Sequence, residues 1–458
     1  MPNAINCREK PKVKLVAWMQ GTVNGRKYDP DAIAAFGALS CFEEKTPTQL
    51  FENMTDEEIE KKKDKVIDES FGRGHGSVAD QPSFIFEIEN LTRSATLQLC
   101  LPQYLEHLQQ SLRRANASRG FYLPAAIENC KLYAMAIETL TAAFNLYDEM
   151  SAGGVPGEDA RFILPLDTRT NIQTKGDARE LTHLHAMNEQ GGVPSAAKDV
   201  VEEMITEALK VAPYILKRRG SNYETLAWLP SAQLYASTNR TMNRIIQSYK
   251  NPDRTVFVEA PLDLEILQLT IKERNEAELS VLKHSHNGGR IEGFLAPMSL
   301  AAYHQAIRQR TWDQAVESIY DAVERKQYKL PPKVANSAYA QKYEDQVNRM
   351  FDLYWRLLEE GVDRSEAIGV ISHALILYDL IHVNGWNAIH SIGKRTCTEA
   401  QWEIRAVATE MAKLIKQRNS TLGTIVGPQG QLYGRCPERK PCGACEGISN
   451  PPEKKPAA

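Results

Sequence analysis

The chain has 458 residues, of which 42% are hydrophobic and 25% charged, and a formal net charge of −3. This is the composition of a globular protein with ample core, and its charge balance argues against a nucleic-acid surface while leaving room for local basic pockets. No apolar run approaches the ~18 residues of a membrane span, and the N-terminal residues lack the apolar core of a signal peptide. Eight cysteines in so long a chain do not suggest a disulfide scaffold, so a reducing cytoplasm is the expected setting.

Residues 13–18 alternate Val, Leu and Ala with Lys and read as a strand. Residues 30–41 read as a helix with Ala32, Ile33, Phe36 and Leu39 on one side. Thr55-Asp-Glu-Glu58 is an N-cap signature and predicts a charged helix over 56–71, followed by a glycine-rich loop at 72–77. Phe84, Phe86 and Ile88 alternate with polar residues, as in a half-buried strand, and a helix follows over 92–100, broken near Pro102. An amphipathic helix is expected over 130–151, ending at Gly153-Gly154, with further helices over 177–188 and 196–212. A strand at 256–259 opens the second half. The stretch from 427 is rich in Gly, Pro and Cys, and residues 451–458 are expected to be disordered.

Two stretches match each other at one fixed offset. Gln98 and Gln305 stand 207 residues apart, as do Ser111 and Ser318, Pro124 and Pro331, Tyr147 and Tyr354, Gly154 and Gly361, Ala160 and Ala367, and His183 and His390. An ungapped match over roughly ninety residues reads as an internal duplication. The implied organisation is a first repeat over 1–216, a connecting segment over 217–253, a second repeat over 254–426 with a shorter opening, and a Cys/Pro-rich tail over 427–458.

Three constellations can carry chemistry. Arg308-Gln309-Arg310 is followed, after seven residues, by Ser318. Two arginines and a hydroxyl suit an anion such as a phosphate, or form a surface ion-pair cluster. The first repeat has Leu101-Pro102-Gln103 there, then Ser111 with Arg113 and Arg114. Arg161, beside what reads as a buried strand, is a phosphate-clamp candidate, or else caps a helix or pairs with Glu158 or Asp159; its counterpart is Ile368. Asp177, Leu181, Thr182 and Asn188 share a helical spacing that can face a ligand or form a satisfied polar face. Arg179 and His183 belong to the same stretch; the second repeat has Asn384, His390 and Arg395.

Taken together, these residues resemble the flavin-dependent thymidylate synthase family, whose signature is Arg-His-Arg, seven residues, then Ser. Arg308-Gln309-Arg310 and Ser318 match it with Gln309 in place of the His. Gly74-His75-Gly76-Ser77-Val78, the strand-to-helix passage from Phe84 to Ser94, and Glu158-Asp159-Ala160-Arg161 through Leu164-Pro165 resemble further family elements. So do Asp177-Ala178-Arg179-Glu180-Leu181 and Ala400-Gln401-Trp402-Glu403-Ile404-Arg405. The resemblance covers nearly the whole chain, as two degenerate copies.

The resemblance implies an α+β fold of two tandem repeats, each a small antiparallel sheet with long helices. It implies transfer of the methylene of methylenetetrahydrofolate to carbon 5 of dUMP, with reducing equivalents passing from NADPH through FAD. By the same resemblance Arg308 and Arg310 hold flavin and base, and Arg395 sits by the uracil. Ser318, or Ser111 with Arg113, holds the nucleotide phosphate, with Arg161 and Gln98 or Gln305. Asn384, Arg179, His183 and His390 contact FAD, and His75 lies near flavin or folate. Arg308, Arg310, Asn384 and Arg395 survive only in the second repeat, Arg113, Arg161 and Arg179 only in the first, so sites composed from both repeats are expected. A homodimer would then be a pseudo-tetramer.

The signature Glu two residues before the serine is Gln109 or Val316, with Glu317 one place off, and the Arg two residues after it is Tyr320 in the second repeat. These departures point to another pyrimidine nucleotide as acceptor, or to a non-catalytic relative. In the tail, Cys436, Cys442 and Cys445 offer three thiols where zinc or an iron–sulfur cluster takes four ligands, so no metal site is assigned.

Overall fold

The computed structural model describes residues 8–221, 233–263, 265, 268, 273, 275–285, 289–438 and 441–443. The segment expected to be disordered, 451–458, and Cys445 lie outside the described residues. The chain forms two compact units, Met1–Leu229 with Tyr235–Ser237 and Pro331–Ser372, and Pro230–Leu234 with Thr238–Leu330 and His373–Ala458.

The first unit holds a four-stranded antiparallel sheet. Its strands are β1 (Lys12–Trp18), β4 (Ser83–Thr92), β6 (Arg169–Asp177) and β5 (Glu106–Gln109), in spatial order β1-β4-β6-β5. A small ribbon, β2 (Gly21–Val23) with β3 (Arg26–Tyr28), follows β1. Phe84, Phe86 and Ile88 are fully buried, while Glu87 and Glu89 are exposed, as the alternation requires. Thr55 and Glu58 form a capping box, with Thr55 N–H donating to Glu58 Oε2 at 2.8 Å. That helix, Asp56–Glu69, stops short of the expected end because Ser70 leaves helical geometry and Gly74, at φ +95°, turns the chain. The helix expected over 196–212 divides into Ser195–Leu209 and Pro213–Leu216. Ala212, immediately before a proline, is held out of the α region at φ −136°, ψ 59°.

The second unit repeats the sheet with β7 (Val256–Pro261), β8 (Arg290–Ser299), β10 (Ile376–His382) and β9 (Asp313–Val316), in the order β7-β8-β10-β9. One face buries Val258, Ile291, Leu295, Tyr378 and Leu380 against Met242, Ile245, Ile246 and Val281. The fold is therefore α+β, with a small antiparallel sheet and long helices in each of two tandem repeats. Among the described residues no helix is long and apolar enough to cross a membrane.

The offset of 207 holds in three dimensions. It relates β4 to β8, β5 to β9, the 20-residue helices Tyr133–Ala152 and Ala340–Glu359, and the helices Ala178–Asn188 and Gly385–Arg395. It also relates the left-handed glycines Gly154 (φ +86°) and Gly361 (φ +84°). The openings differ. Val13 pairs with Ile88, and Val256 with Leu295, the counterpart of Ile88; the first strands thus stand 243 apart, and the second repeat is 36 residues shorter before its second strand.

Within the first unit, segments of both repeats meet about a pseudo-twofold. Pro165 forms a β-bridge with Ser372, its own counterpart. Gln346 Nε2 donates to the carbonyl of Thr139, its counterpart, at 2.8 Å. Asp167 N–H donates to Gly369 O at 2.9 Å, and Leu166 N–H to Ile371 O at 2.7 Å. Residues that touch their own equivalents lie on the axis of an isologous contact.

Candidate functional site

In the first unit, Arg161 lies not beside a strand but in a 3-10 turn, Arg161–Ile163, directly after the short helix Gly157–Ala160. It is 7% exposed, and its Nε donates to the carbonyl of Glu158 at 3.3 Å. Arg113 donates through Nε and Nη2 to Glu158 Oε2, at 3.0 Å each, and its backbone N–H reaches Ser111 Oγ at 3.3 Å. Glu158 thus gathers Arg161, Arg113 and Ser111 into one cluster. Arg179 pairs with Asp80 at 3.2 Å, and His183 Nδ1 lies 2.8 Å from Glu180 Oε1. His75 is exposed at the start of the turn Gly76–Val78. Asp177 caps its helix by accepting from Glu180 N–H at 2.8 Å, and burial pushes its carboxyl up to about 7. Leu181, Thr182 and Asn188 are all buried. Thr182 donates to Arg179 O and Asn188 to Lys198 O, so this helix face is satisfied internally.

In the second unit, Ser299 caps the helix Leu300–Ala306, and its N–H and hydroxyl both donate to the Glu403 carboxylate. Gln305 sits in the last turn of that helix, and Arg308, Gln309 and Arg310 form the half-buried turn that leads into β9. Gln309 lies against Arg395; in the amide orientation that satisfies both groups, its oxygen accepts from Arg395 Nη2 and from Nε at 2.6 Å. Trp312 Nε1 donates to Ser391 Oγ at 2.9 Å, docking the same turn on the same helix, Gly385–Arg395. Asn384 caps the far end of this helix, accepting from Asn387 N–H at 2.9 Å, so it stands about 16 Å from Arg395 along the axis. His390 is exposed between them. Ser318 is fully buried and accepts from Tyr320 N–H at 3.2 Å, at the start of the helix Ile319–Glu324.

One feature recurs in both repeats. Gln98 is 1% exposed; its Nε2 donates to Asn188 Oδ1 at 3.3 Å, and its Oε1 is buried without a partner. The counterpart Gln305 has a buried, unpartnered Nε2. An unsatisfied buried polar atom costs about 1–3 kcal/mol. Its occurrence at the same position of both repeats calls for an occupant that supplies the missing bond. In the second repeat Arg308 and Arg310 follow Gln305 closely in sequence, and these donors fit a ligand that carries phosphates and planar carbonyls, as a nucleotide or a flavin dinucleotide does.

The family model described as "Thymidylate synthase complementing protein" matches residues 24–214 and 236–419. The chain belongs to that family. It is an internally duplicated, divergent member, since the match falls once on each repeat. Curated relatives named flavin-dependent thymidylate synthase include those of Geobacter sulfurreducens (29% identical, 42% of this chain and 83% of the relative) and Sulfolobus acidocaldarius (27%, 46% and 77%). Each aligns to less than half of this chain yet is itself mostly covered, as expected when one relative corresponds to one repeat. Among solved structures, the UMP/dUMP methylase PolB of Streptomyces cacaoi aligns at 16% identity and a TM-score of 0.39, over 47% of this chain and 96% of its own.

The departures from the family signature have structural counterparts. Val316 stands where the signature has Glu, and directly across the β9–β10 ladder from it stands Asp379. The corresponding pair in the first unit is Gln109 and Ile172. Asp379 is fully buried; Gln314 Nε2 donates to its Oδ2 at 2.7 Å, its Oδ1 has no partner, and burial pushes the carboxyl up to about 8. Glu317, one residue on, has a different role. It is fully buried and accepts from both terminal nitrogens of the Arg325 guanidinium, Nη1 and, at 2.8 Å, Nη2, and from Tyr378 N–H at 3.0 Å. Burial pushes Glu317 up while Arg325 pulls it down. Neither Asp379 nor Arg325 is marked by the sequence, because their roles depend on strand register.

The second unit also holds a cavity of about 430 Å³, walled by Lys326, Lys329, Tyr328, Tyr378 and Glu403 among others, which no sequence motif announces. In the tail, Cys436 and Cys442 are free thiols, with Cys442 Sγ 3.7 Å from Thr398 Oγ1. Elsewhere, His185, Glu189 and Glu202 bring ligand atoms within 4.8 Å of one another, but His185 already bonds Glu202 at 3.1 Å on the surface.

Proposed function

We propose that this chain is a flavin-dependent thymidylate synthase-like methyltransferase, carrying out reductive methylation of dUMP to dTMP with methylenetetrahydrofolate, FAD and NADPH. The observation that carries the reading is the pair of buried amides at Gln98 and Gln305, each with one polar atom left without a partner, in a chain whose family match spans both repeats. The relatives' shared name supports the flavin and the nucleotide.

In this reading Arg161, Arg113, Ser111 and Ser318 bind the nucleotide phosphate, with Gln98 and Gln305. Arg179, His183, Asn384 and His390 hold FAD, with His75 near flavin or folate. Arg308 and Arg310 orient flavin against base, and Arg395 polarises the uracil carbonyls, which activates the ring. Bound flavin supplies the hydride chemistry that no side chain here can. In this reading the arginines are divided between the repeats, and the working form is a homodimer acting in the cytoplasm. Altered contacts at Gln309, Val316 and Tyr320 favour, as a second reading, another pyrimidine nucleotide as acceptor.

The test is an anaerobic absorbance spectrum of the purified protein after incubation with FAD. A flavin band that bleaches with NADPH and returns on adding dUMP and methylenetetrahydrofolate supports the reading. Return with UMP or dCMP but not dUMP selects the second. A protein that takes up no FAD overturns both.

A further inference from the structure

We infer that Gln309 is a positioning residue: it fixes the guanidinium of Arg395 and thereby sets how tightly the second repeat grips the pyrimidine ring. The inference rests on the nucleotide reading above for its consequence, but not for the pairing itself.

Gln309 is held at both ends of its own backbone. Its N–H donates to Ala306 O at 2.8 Å, and its carbonyl accepts from Trp312 N–H at 3.0 Å. The turn is anchored by Trp312, 4% exposed, whose indole donates to the fully buried Ser391. Ser391 lies four residues before Arg395 on one helix, hence on the same face. The turn therefore presents the Gln309 amide to Arg395 from a fixed platform. In the amide orientation that satisfies both groups, the oxygen takes the Nε–Nη2 edge of the guanidinium. Engaging that edge sets the plane of the group.

A carboxamide suits this task because it is neutral. A carboxylate at the same place would cancel the charge of Arg395, whereas an amide oxygen orients it with the charge intact. It also accepts two N–H bonds, where the imidazole of the family signature offers one acceptor nitrogen. The first repeat lacks both partners at once. Pro102 stands at the position of Gln309, and Asn188 at that of Arg395, where it bonds Gln98 and the Lys198 carbonyl instead. The pair is a property of the second repeat alone.

A double-mutant cycle tests it, with dUMP as the probe and calorimetry as the readout on the FAD-loaded protein. Gln309→Met, close in shape and unable to accept, should weaken dUMP binding about 10-fold or more. Arg395→Lys should weaken it as well, and the double variant should be no worse than Arg395→Lys alone. Gln309→His should recover part of the loss. Additive losses, or a Gln309→Met protein that binds dUMP like wild type, overturn the inference. The pairing has its own readout in the Nε–H resonance of Arg395, assigned by its loss in Arg395→Lys. Slow solvent exchange in wild type and fast exchange in Gln309→Met support it even if no dUMP binds, which would refute the nucleotide reading only. Equal exchange in the two proteins overturns the pairing even if dUMP binds.

Discussion

Replacing Asp379 by asparagine should remove a large share of the pH dependence of stability. The Asp379 carboxyl is fully buried, bonded through one oxygen to Gln314, and pushed by burial from its ordinary 3.8 up to about 8. Between those values the folded protein keeps a proton that the unfolded chain has released. Folding must take it up, so stability falls by about 1.4 kcal/mol for each pH unit. The contribution is complete below the unfolded value and lost as pH rises through the folded one. Over the window this amounts to roughly 6 kcal/mol, comparable with the net stability of a whole domain. An asparagine fits the same space, and its amide never ionises. Asp167 and Asp177, both pushed to about 7, and Asp31, to about 6, add slopes common to both proteins. Urea titrations at each unit from pH 5 to pH 9 should therefore give a difference in favour of Asp379→Asn that grows to about pH 8 and then levels. A difference that stays constant with pH would show that Asp379 does not carry the buried proton.

Other substitutions probe separate parts of the chain. Arg161→Ala and Arg308→Ala, one from each repeat, should each abolish dUMP binding by calorimetry; retained binding in either defeats the division of the site between repeats. Arg325→Ala leaves the carboxylate of Glu317 buried without its cation, and should cost about 3–5 kcal/mol in urea unfolding, since breaking a buried pair is worse than never having one. Gly369→Ala would put a Cβ 2.0 Å from Asp167 Oδ2. A melting temperature lowered by several degrees is expected, and an unchanged one means that the Asp167 side chain turns aside freely.

What the sequence made legible was what repeats locally. The Thr55 capping box, the Phe84–Ile88 alternation and the duplication itself depend on neighbours in the chain, and the structure has them as read. Strand β6 escaped because its buried face is made of Thr170, Ile172, Thr174 and Gly176 rather than a run of large apolar residues. A Cβ at Gly176 would meet the end of the Leu105 side chain, which would have to move, a constraint set by a distant loop. Arg161 read as lying beside a strand because Phe162, Ile163 and Leu164 are apolar and buried, yet three residues before Pro165 they close a 3-10 turn instead. The individual site arginines were visible as residue types. That Gln309 meets Arg395, and that Asp379 faces Val316, are facts of docking and register that no single stretch of sequence contains.

The bridge between Pro165 and Ser372 and the bond between Gln346 and Thr139 make a self-complementary contact within one polypeptide. Where two copies of a chain meet about a true twofold, the contact is subject to mass action, and each mutation strikes both sides at once. Here neither holds. The contact cannot be lost by dilution, because its two halves are covalently linked at a fixed effective concentration. Each half is also free to vary alone, so that proline can sit opposite serine and glutamine opposite threonine.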